Sequence, residues 1–270
     1  MSSIPRFIII LCLFLLSGCA DLVSRVGALL PAQRGDPSSE FHGVTYEYYR
    51  SSLRHPAALR QQIVFPAPVA VFRPEVENEL DSFLDRDPLF VRHALETGAE
   101  FIPVVKEILS DEGMPTELLY LAIIESGLRP AAKSPAGALG IWQFTRRTGG
   151  AYGLEATRGR DERQDVILST IAAARHLRDL YFELRDWDLV FAAYNAGLGA
   201  VNRAIARAGT RDYWEIARQR KLPLQTRRYV PRFHAAVFLA RYEERYGDPS
   251  VAEFLTARVL VERLSELEVG

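Results

Sequence analysis

One stretch of the chain, residues 116–126, is apolar almost all round and constrains the fold more than any other feature. Leucine, alanine and isoleucine fill most of its positions, up to Ile123 and Ile124. Pro115 stands where a helix begins, because proline suits the first helical turn. A helix without a polar face is a buried one. We therefore predict a helix here that other parts of the chain surround.

The surrounding sequence is also helical in pattern. Apolar residues recur at helical spacing in several other stretches, over 75–84, 99–111, 165–184, 189–194, 200–207 and 226–246. Asp87 and Pro88 are typical of an N-cap followed by proline, which predicts a helix to about Thr97. Glycine, proline and alanine dominate 127–140, which indicates a loop. No run of alternating β-branched residues occurs, so the predicted fold class is mainly α.

Charge and composition exclude several functional classes. The 270 residues include 33 basic and 34 acidic side chains, a formal net charge of −1, so no basic face for nucleic acid is indicated. The five histidines are scattered without metal-ligand spacing. No phosphate-binding loop or nucleophile motif is present. We expect no metal and no cofactor, and a monomer.

The N-terminus has the layout of a secretory signal. Arg6 precedes an apolar run over 7–16, which is shorter than the roughly 20 residues that span a bilayer. Leu16-Ser17-Gly18-Cys19 then resembles a bacterial lipobox, in which the cysteine is lipidated after cleavage. The alternative is an ordinary signal peptide that contains a cysteine. Ala20 follows Cys19, which in enterobacterial-type sorting implies the outer membrane, facing the periplasm.

These observations divide the chain into four parts. Residues 1–18 are the predicted signal peptide, and 19–72 a lipidated tether and lead-in with weak periodicity. A helical domain is expected over 73–247, followed by a short C-terminal helical tail over 248–270. Trp187 and Trp214 are predicted to belong to the core of the domain, and Asp161 to cap a helix.

Glu125 is the outlier of the apolar helix, because it is a carboxyl group near the C-terminal end of a buried segment. Desolvation raises the pKa of a carboxyl group, and the negative end of a helix acts in the same direction. A protonated carboxyl group facing a cleft can protonate a glycosidic oxygen. The alternative is a structural ion pair with a neighbouring arginine such as Arg129.

Short motifs follow Glu125 in a fixed order. Glu125-Ser126 is followed by Ser134, by Gly140-Ile141-Trp142-Gln143 and by Ala192 to Gly197, which reads Ala-Ala-Tyr-Asn-Ala-Gly. This set resembles the lytic transglycosylases of the soluble-lytic-transglycosylase family, which have a lysozyme-like, goose-type helical fold. The Gly-Ile-Trp-Gln element is similar to that of the membrane-bound lytic transglycosylase D branch. The resemblance covers roughly 76–239.

The resemblance implies roles for individual residues. Glu125 matches the catalytic acid/base. Substrate contacts are implied for the cleft residues Ser134, Trp142, Gln143, Tyr194, Asn195 and Tyr229. The family usually has glutamate before the threonine of its last element, whereas this chain has Gln225.

The implied reaction is cleavage of the β-1,4 bond between N-acetylmuramic acid and N-acetylglucosamine in peptidoglycan. Glu125 alone would act as acid and then as base, closing a 1,6-anhydro ring on the muramic acid. Most glycosidases use two carboxylates, and the sequence nominates only one. Two alternatives remain: a lysozyme-type hydrolase, and a non-catalytic peptidoglycan-binding lipoprotein of the cell envelope.

Overall fold

The computed structural model describes residues 65–246, which contain ten α-helices, two short 3-10 helices and no β-strand. The mainly α fold class is therefore confirmed. The signal segment, Cys19 and the tail over 248–270 lie outside the described residues. In chain order the elements are α1 (Pro74–Arg86), α2 (Phe90–Gly98), α3 (Ile102–Asp111), a 3-10 helix (Thr116–Leu118), α4 (Leu119–Ser126), α5 (Arg146–Ala151), a second 3-10 helix (Glu162–Gln164), α6 (Val166–Leu184), α7 (Trp187–Ala196), α8 (Leu198–Ala208), α9 (Tyr213–Arg218) and α10 (Leu224–Tyr246).

Helix α4 is the buried centre that the apolar run predicted. The side chains from Leu119 to Ile123 are all buried. Helices α2, α3 and α10 pack against it. Burying each large aliphatic side chain contributes about 1.5–3 kcal/mol. Gly127 then ends the helix in the left-handed conformation, with φ 62°. The last turn of α4 is thus held rigidly by its surroundings.

Helix α10 is the last described helix and packs against four earlier ones. They are α1, α7, α4 and α2. Pro231 lies inside it and has no N–H for the carbonyl of Arg227, one turn earlier. The hydroxyl of Tyr213, on α9, donates to that carbonyl at 3.1 Å and to the carbonyl of Thr226 at 3.2 Å. A side chain from a neighbouring helix therefore satisfies the carbonyl that the proline leaves free.

Helix boundaries depart from the sequence expectation at two places. Asp87 was expected to cap α2, but Leu89 is the N-cap and no side chain caps that helix. Asp87 instead accepts a hydrogen bond from the N–H of Phe90 through its backbone carbonyl. Helix α3 begins at Ile102 rather than near Ala99, because the intervening residues form a turn between α2 and α3. Within 65–246 no helix is both long and apolar enough to cross a bilayer.

Candidate active site

Glu125 lies in the last turn of α4 and opens into a cavity of about 350 Å³. The side chain is half-buried. Helices α1, α4, α7 and α10 all contribute to the wall of this cavity. Its lining residues are Glu79, Arg86, Ile124, Glu125, Asn195, Gln225, Arg228, Tyr229 and Arg232. This cavity is called the Glu125 cavity below.

The hydroxyl of Tyr229 donates a hydrogen bond of 2.6 Å to Oε1 of Glu125. Burial raises the pKa of Glu125 from 4.5 to about 7, although this hydrogen bond acts in the opposite direction. The carboxyl group is therefore close to half protonated at neutral pH. The ion pair with Arg129 does not form, since the Nε of Arg129 donates instead to the carbonyl of Ser126 at 2.8 Å. Such a carboxyl group can both release and accept a proton near pH 7.

A larger cavity of about 810 Å³ shares Asn195 with the Glu125 cavity. Asn195 lines both cavities, and its Oδ1 accepts a hydrogen bond of 3.0 Å from Thr226. Gln143 and Tyr194 line the larger cavity, together with Tyr152 and the neutral, half-buried His176. Burial lowers the pKa of His176 to about 4. Of the sequence-predicted residues, Asn195 and Tyr229 line the Glu125 cavity, whereas Gln143, Tyr194 and Asn195 line the larger one.

Hydrogen bonds from the side chain of Arg163 hold the loop over 127–145 in place. This guanidinium donates to the carbonyls of Gly137 and Phe144 at 2.9 and 3.0 Å. Asp161 holds Arg163 at 2.6 Å and also caps the 3-10 helix that follows, as predicted for a helix cap. Gly140 has φ 83°, and a Cβ there would lie 1.8 Å from the carbonyl oxygen of Arg163. Only glycine fits at this contact.

Gln143 and Ser134 are held by the same loop in different ways. Gln143 has φ 50°, and its Nε2 donates to the carbonyls of Ala132 and Gly140. Its side chain is thereby fixed at the wall of the larger cavity. Ser134 accepts a hydrogen bond from the N–H of Ala138 at 3.0 Å and closes a turn. Ser134 lines neither of the two cavities, so the structure does not bring it to Glu125.

The expectation that Trp142 lines the cleft is wrong. Its side chain is 0% exposed, and its Nε1 donates to Thr170 of α6 at 2.9 Å. The indole therefore belongs to the core, where its N–H has the partner that burial requires. Its backbone carbonyl accepts the hydroxyl of Tyr194 at 2.8 Å, which fixes the tyrosine at the cleft. Trp142 thus helps to form the site through its backbone carbonyl, which positions Tyr194, and not through its side chain.

The sequence analysis missed the charged groups that face Glu125. Glu79 of α1 and Arg228 and Arg232 of α10 line the Glu125 cavity. In the sequence, these residues look like the solvated faces of two amphipathic helices, because nothing local shows that α1 and α10 pack together beside α4. Trp187 is buried as predicted, whereas Trp214 is half-buried and donates to Asp188 at 2.8 Å.

Comparison with known proteins shows what this arrangement is similar to. Residues 104–217 match the family described as "Transglycosylase SLT domain".

Over these residues the chain is similar to transglycosylase SLT domains.

The matched residues include Glu125, Gln143, Tyr194 and Asn195, whereas Tyr229 lies beyond them. The chain is 43% identical over 140 residues to "Membrane-bound lytic murein transglycosylase D" of Escherichia coli, a match over 50% of this chain and 30% of that protein. It is 36% identical over 104 residues to a "Putative tributyltin chloride resistance protein" of an Alteromonas species, over 38% of this chain and 50% of that protein. A peptidoglycan transglycosylase of an Escherichia phage is 42% identical over 90 residues, 32% of this chain and 7% of that protein. The chain thus spans about a third of the length of the first of these relatives.

Proposed function

We propose that this protein is a lytic transglycosylase that cleaves the bond between N-acetylmuramic acid and N-acetylglucosamine in peptidoglycan glycan strands. The observation that carries the proposal is Glu125, a carboxyl group with a pKa of about 7 that lies within the residues matching the SLT family and opens into the Glu125 cavity. Two relatives are named a murein and a peptidoglycan transglycosylase, which supports the same substrate.

In the proposed mechanism Glu125 acts first as an acid. Its carboxyl proton passes to the bridging oxygen as the bond from that oxygen to the muramic acid breaks. The sugar's own acetamido group stabilises the positive charge that develops. The resulting carboxylate is stabilised by the hydroxyl of Tyr229, since a hydrogen bond to an ionised group is roughly twice as strong as a neutral one.

Glu125 then acts as a base. Its carboxylate takes the proton of the 6-hydroxyl of the same sugar, whose oxygen closes the 1,6-anhydro ring. The glutamic acid is restored, so no second carboxylate is needed. A well-oriented group on the same molecule reaches effective molarities of about 10⁵ M or more, which favours this hydroxyl over water. Gln143, Tyr194 and Asn195 are proposed to hold the strand in that orientation, and Ser134 to contact it further along the loop.

Digestion of purified sacculi in heavy-oxygen water tests the proposal. We expect fragments that end in 1,6-anhydro-N-acetylmuramic acid, without label and without a reducing end, when they are analysed by mass spectrometry. The Glu125→Gln variant serves as the control and should lose activity by about 10²–10⁴-fold or more. Stoichiometric label at the muramic acid end would instead indicate a lysozyme-type hydrolase. Binding of sacculi without any cleavage would indicate a non-catalytic envelope protein.

We also propose that the protein is anchored to the outer membrane through lipid on Cys19, facing the periplasm as a monomer, with the catalytic domain over 73–247. Stable anchoring takes more than one acyl chain, which lipobox processing supplies. Metabolic labelling with a radioactive fatty acid should mark the wild-type chain and leave Cys19→Ala unlabelled and unprocessed. Equal labelling of both would place the anchor elsewhere.

A further inference from the structure

An ion pair between the buried Glu79 and the exposed Arg228 joins the first and last described helices at the wall of the Glu125 cavity. Oε1 of Glu79 accepts a hydrogen bond of 2.6 Å from Nε of Arg228. The side chain of Glu79 is only 5% exposed, and its Oε2 has no hydrogen-bond partner within the described residues. Both residues lie outside the matched range 104–217. The ion pair is therefore the main compensation for the buried charge of Glu79.

Three arginines and one carboxylate line the Glu125 cavity from α1 and α10. They are Arg86 and Glu79 on α1, and Arg228 and Arg232 on α10, and the uncharged phenols of Tyr194 and Tyr229 complete the titratable surroundings. Since one negative charge opposes three positive ones, this wall of the cavity has an excess of positive charge. An opposite charge within about 4–6 Å lowers a carboxyl pKa by one to three. An arginine that reached Glu125 would thus stabilise its carboxylate, and Glu125 would no longer hold its proton at neutral pH.

Arg228 is the arginine best placed to do so. It directly precedes Tyr229, whose hydroxyl contacts Glu125, and its side chain is 47% exposed. Arg232, by contrast, is held over the rings of Phe83 and Phe90, at 4.2 and 5.7 Å from their centroids. The hydrogen bond to Glu79 ties the guanidinium of Arg228 to α1.

We propose that Glu79 is a positioning residue, whose carboxylate holds the guanidinium of Arg228 away from Glu125 and so keeps Glu125 able to donate its proton. This inference rests on the proposed function in so far as Glu125 is the acid of that reaction. The pKa of Glu125 supports it, because burial and the Tyr229 hydrogen bond determine that pKa and no arginine contributes to it. The hydrogen bond to Glu79 also raises the pKa of Arg228.

A direct titration of Glu125 tests the proposal. The chain is labelled with glutamate carrying ¹³C at the side-chain carboxyl, and the Glu125 signal is assigned by its loss in Glu125→Gln. Glu79→Met removes the carboxylate but keeps an apolar side chain of similar size, and Arg228→Met keeps most of the arginine stem. We expect the Glu125 midpoint to fall by about one pH unit or more in Glu79→Met. It should not fall in Arg228→Met, and the double variant should return to the wild-type midpoint.

A matched control removes a similar ion pair that does not line the cavity. Arg92 of α2 and Glu243 of α10 are paired at 2.6 Å with both side chains largely buried. Glu243→Met should destabilise the fold without moving the Glu125 midpoint. If Glu79→Met does not fold, Glu79→Gln removes the same charge and should lower the midpoint as well.

Two results would overturn the proposal. One is an unchanged Glu125 midpoint in a folded Glu79 variant. The other is a midpoint that stays low when Arg228→Met is added, because the shift would then not come from the released guanidinium. The titration needs no turnover, so it stands apart from the sacculus digestion. If the digestion gave no product while the midpoints moved as expected, the proposed function would fail and the positioning role would remain.

Discussion

Glu125 is a carboxyl group whose two protonation states are nearly equal in free energy at neutral pH. Burial disfavours the charged state, and the short hydrogen bond from Tyr229 partly restores it, which leaves the pKa at about 7. The same balance affects folding, because the unfolded chain binds this proton less tightly. Two predictions follow from single side chains at this site, one on stability and one on the pH dependence of activity.

The stability of the wild-type protein should fall between pH 4.5 and pH 7 because of Glu125. In that range the folded chain holds a proton that the unfolded chain has released, so the free energy of unfolding decreases as pH rises. Each pKa unit corresponds to about 1.4 kcal/mol, which gives a loss of about 3 kcal/mol. Glu125→Gln lacks this loss. Urea unfolding measures this difference. From pH 4.5 to pH 8, the free energy of unfolding of the variant should increase relative to that of the wild type by about that amount.

The exposed Glu96→Gln of α2 is the control, and should follow the wild type at both pH values. A constant difference between Glu125→Gln and the wild type across this range would contradict a raised pKa for Glu125.

Tyr229→Phe should raise the pKa of Glu125 further, because the hydroxyl stabilises the ionised carboxylate. The alkaline limb of the activity profile should move to higher pH, and the maximal rate should fall about 10-fold with loss of a bond to a charged group. Tyr194→Phe is the matched control, since its hydroxyl donates to the carbonyl of Trp142 and not to Glu125. Equal movement of the limb in both variants would argue against a specific role for Tyr229.

Helix α10 depends on a helix that the sequence analysis did not predict. The short α9 brings Tyr213 to the carbonyl of Arg227, which Pro231 leaves without an N–H. The site residues Arg228 and Tyr229 lie between those two positions. The conformation of this turn of α10 therefore depends on one phenol from outside the helix.

Tyr213→Phe should destabilise the protein by about 1–3 kcal/mol, because the part-buried carbonyl of Arg227 then loses its donor. Pro231→Ala supplies an N–H to the same carbonyl from within the helix. The cost of Tyr213→Phe should thus be clearly smaller in a Pro231→Ala background, as measured by urea unfolding of the four proteins. Strictly additive free energies would show that Tyr213 and Pro231 are not coupled.

The loop over 127–145 depends on a close contact between Gly140 and the carbonyl of Arg163. Gly140→Ala should cost about 3 kcal/mol or more, since its Cβ would overlap the carbonyl of Arg163 in addition to the strain of a positive φ. Gly153 also has a positive φ, of 87°, but has nothing within 4 Å of a Cβ. Gly153→Ala should cost only about 1–2 kcal/mol in the same unfolding measurement. Similar values for the two variants would contradict the close contact.

Local sequence patterns predicted the long helices well, because apolar spacing and capping residues define them. The stretch over 165–184 does form α6, which Asp165 caps, and the apolar run does form the buried helix α4. The patterns failed for α5 and α9, which have only six residues each and too few turns for a period to show.

The candidate site was predictable only in part. Glu125 stood out because a carboxyl group in an apolar helix is unusual. Glu79 did not, because its burial depends on how α1 packs against α10 and no local pattern records that. Trp142 was misassigned for the same reason: an aromatic residue in a loop motif gives no sign of which side faces the core.

The whole domain extends beyond the residues that match the SLT family. Helix α10 supplies Tyr229 and much of the packing around α4, yet it lies after residue 217. We therefore expect a fragment of residues 104–217 to lack a cooperative thermal transition by circular dichroism, whereas residues 65–246 should retain one. A sharp transition in the shorter fragment, together with cleavage of sacculi, would show that α1 and α10 are dispensable.

The contact between Glu125 and Tyr229 joins residues 104 positions apart in the chain. During synthesis, Glu125 emerges from the ribosome well before the helix that completes its cavity. The carboxyl group of the nascent chain is thus surrounded by water, with the ordinary acidity of a glutamate, until α10 has been made and has docked. Because of the order of translation, Glu125 therefore acquires its raised pKa only after most of the described domain has been made.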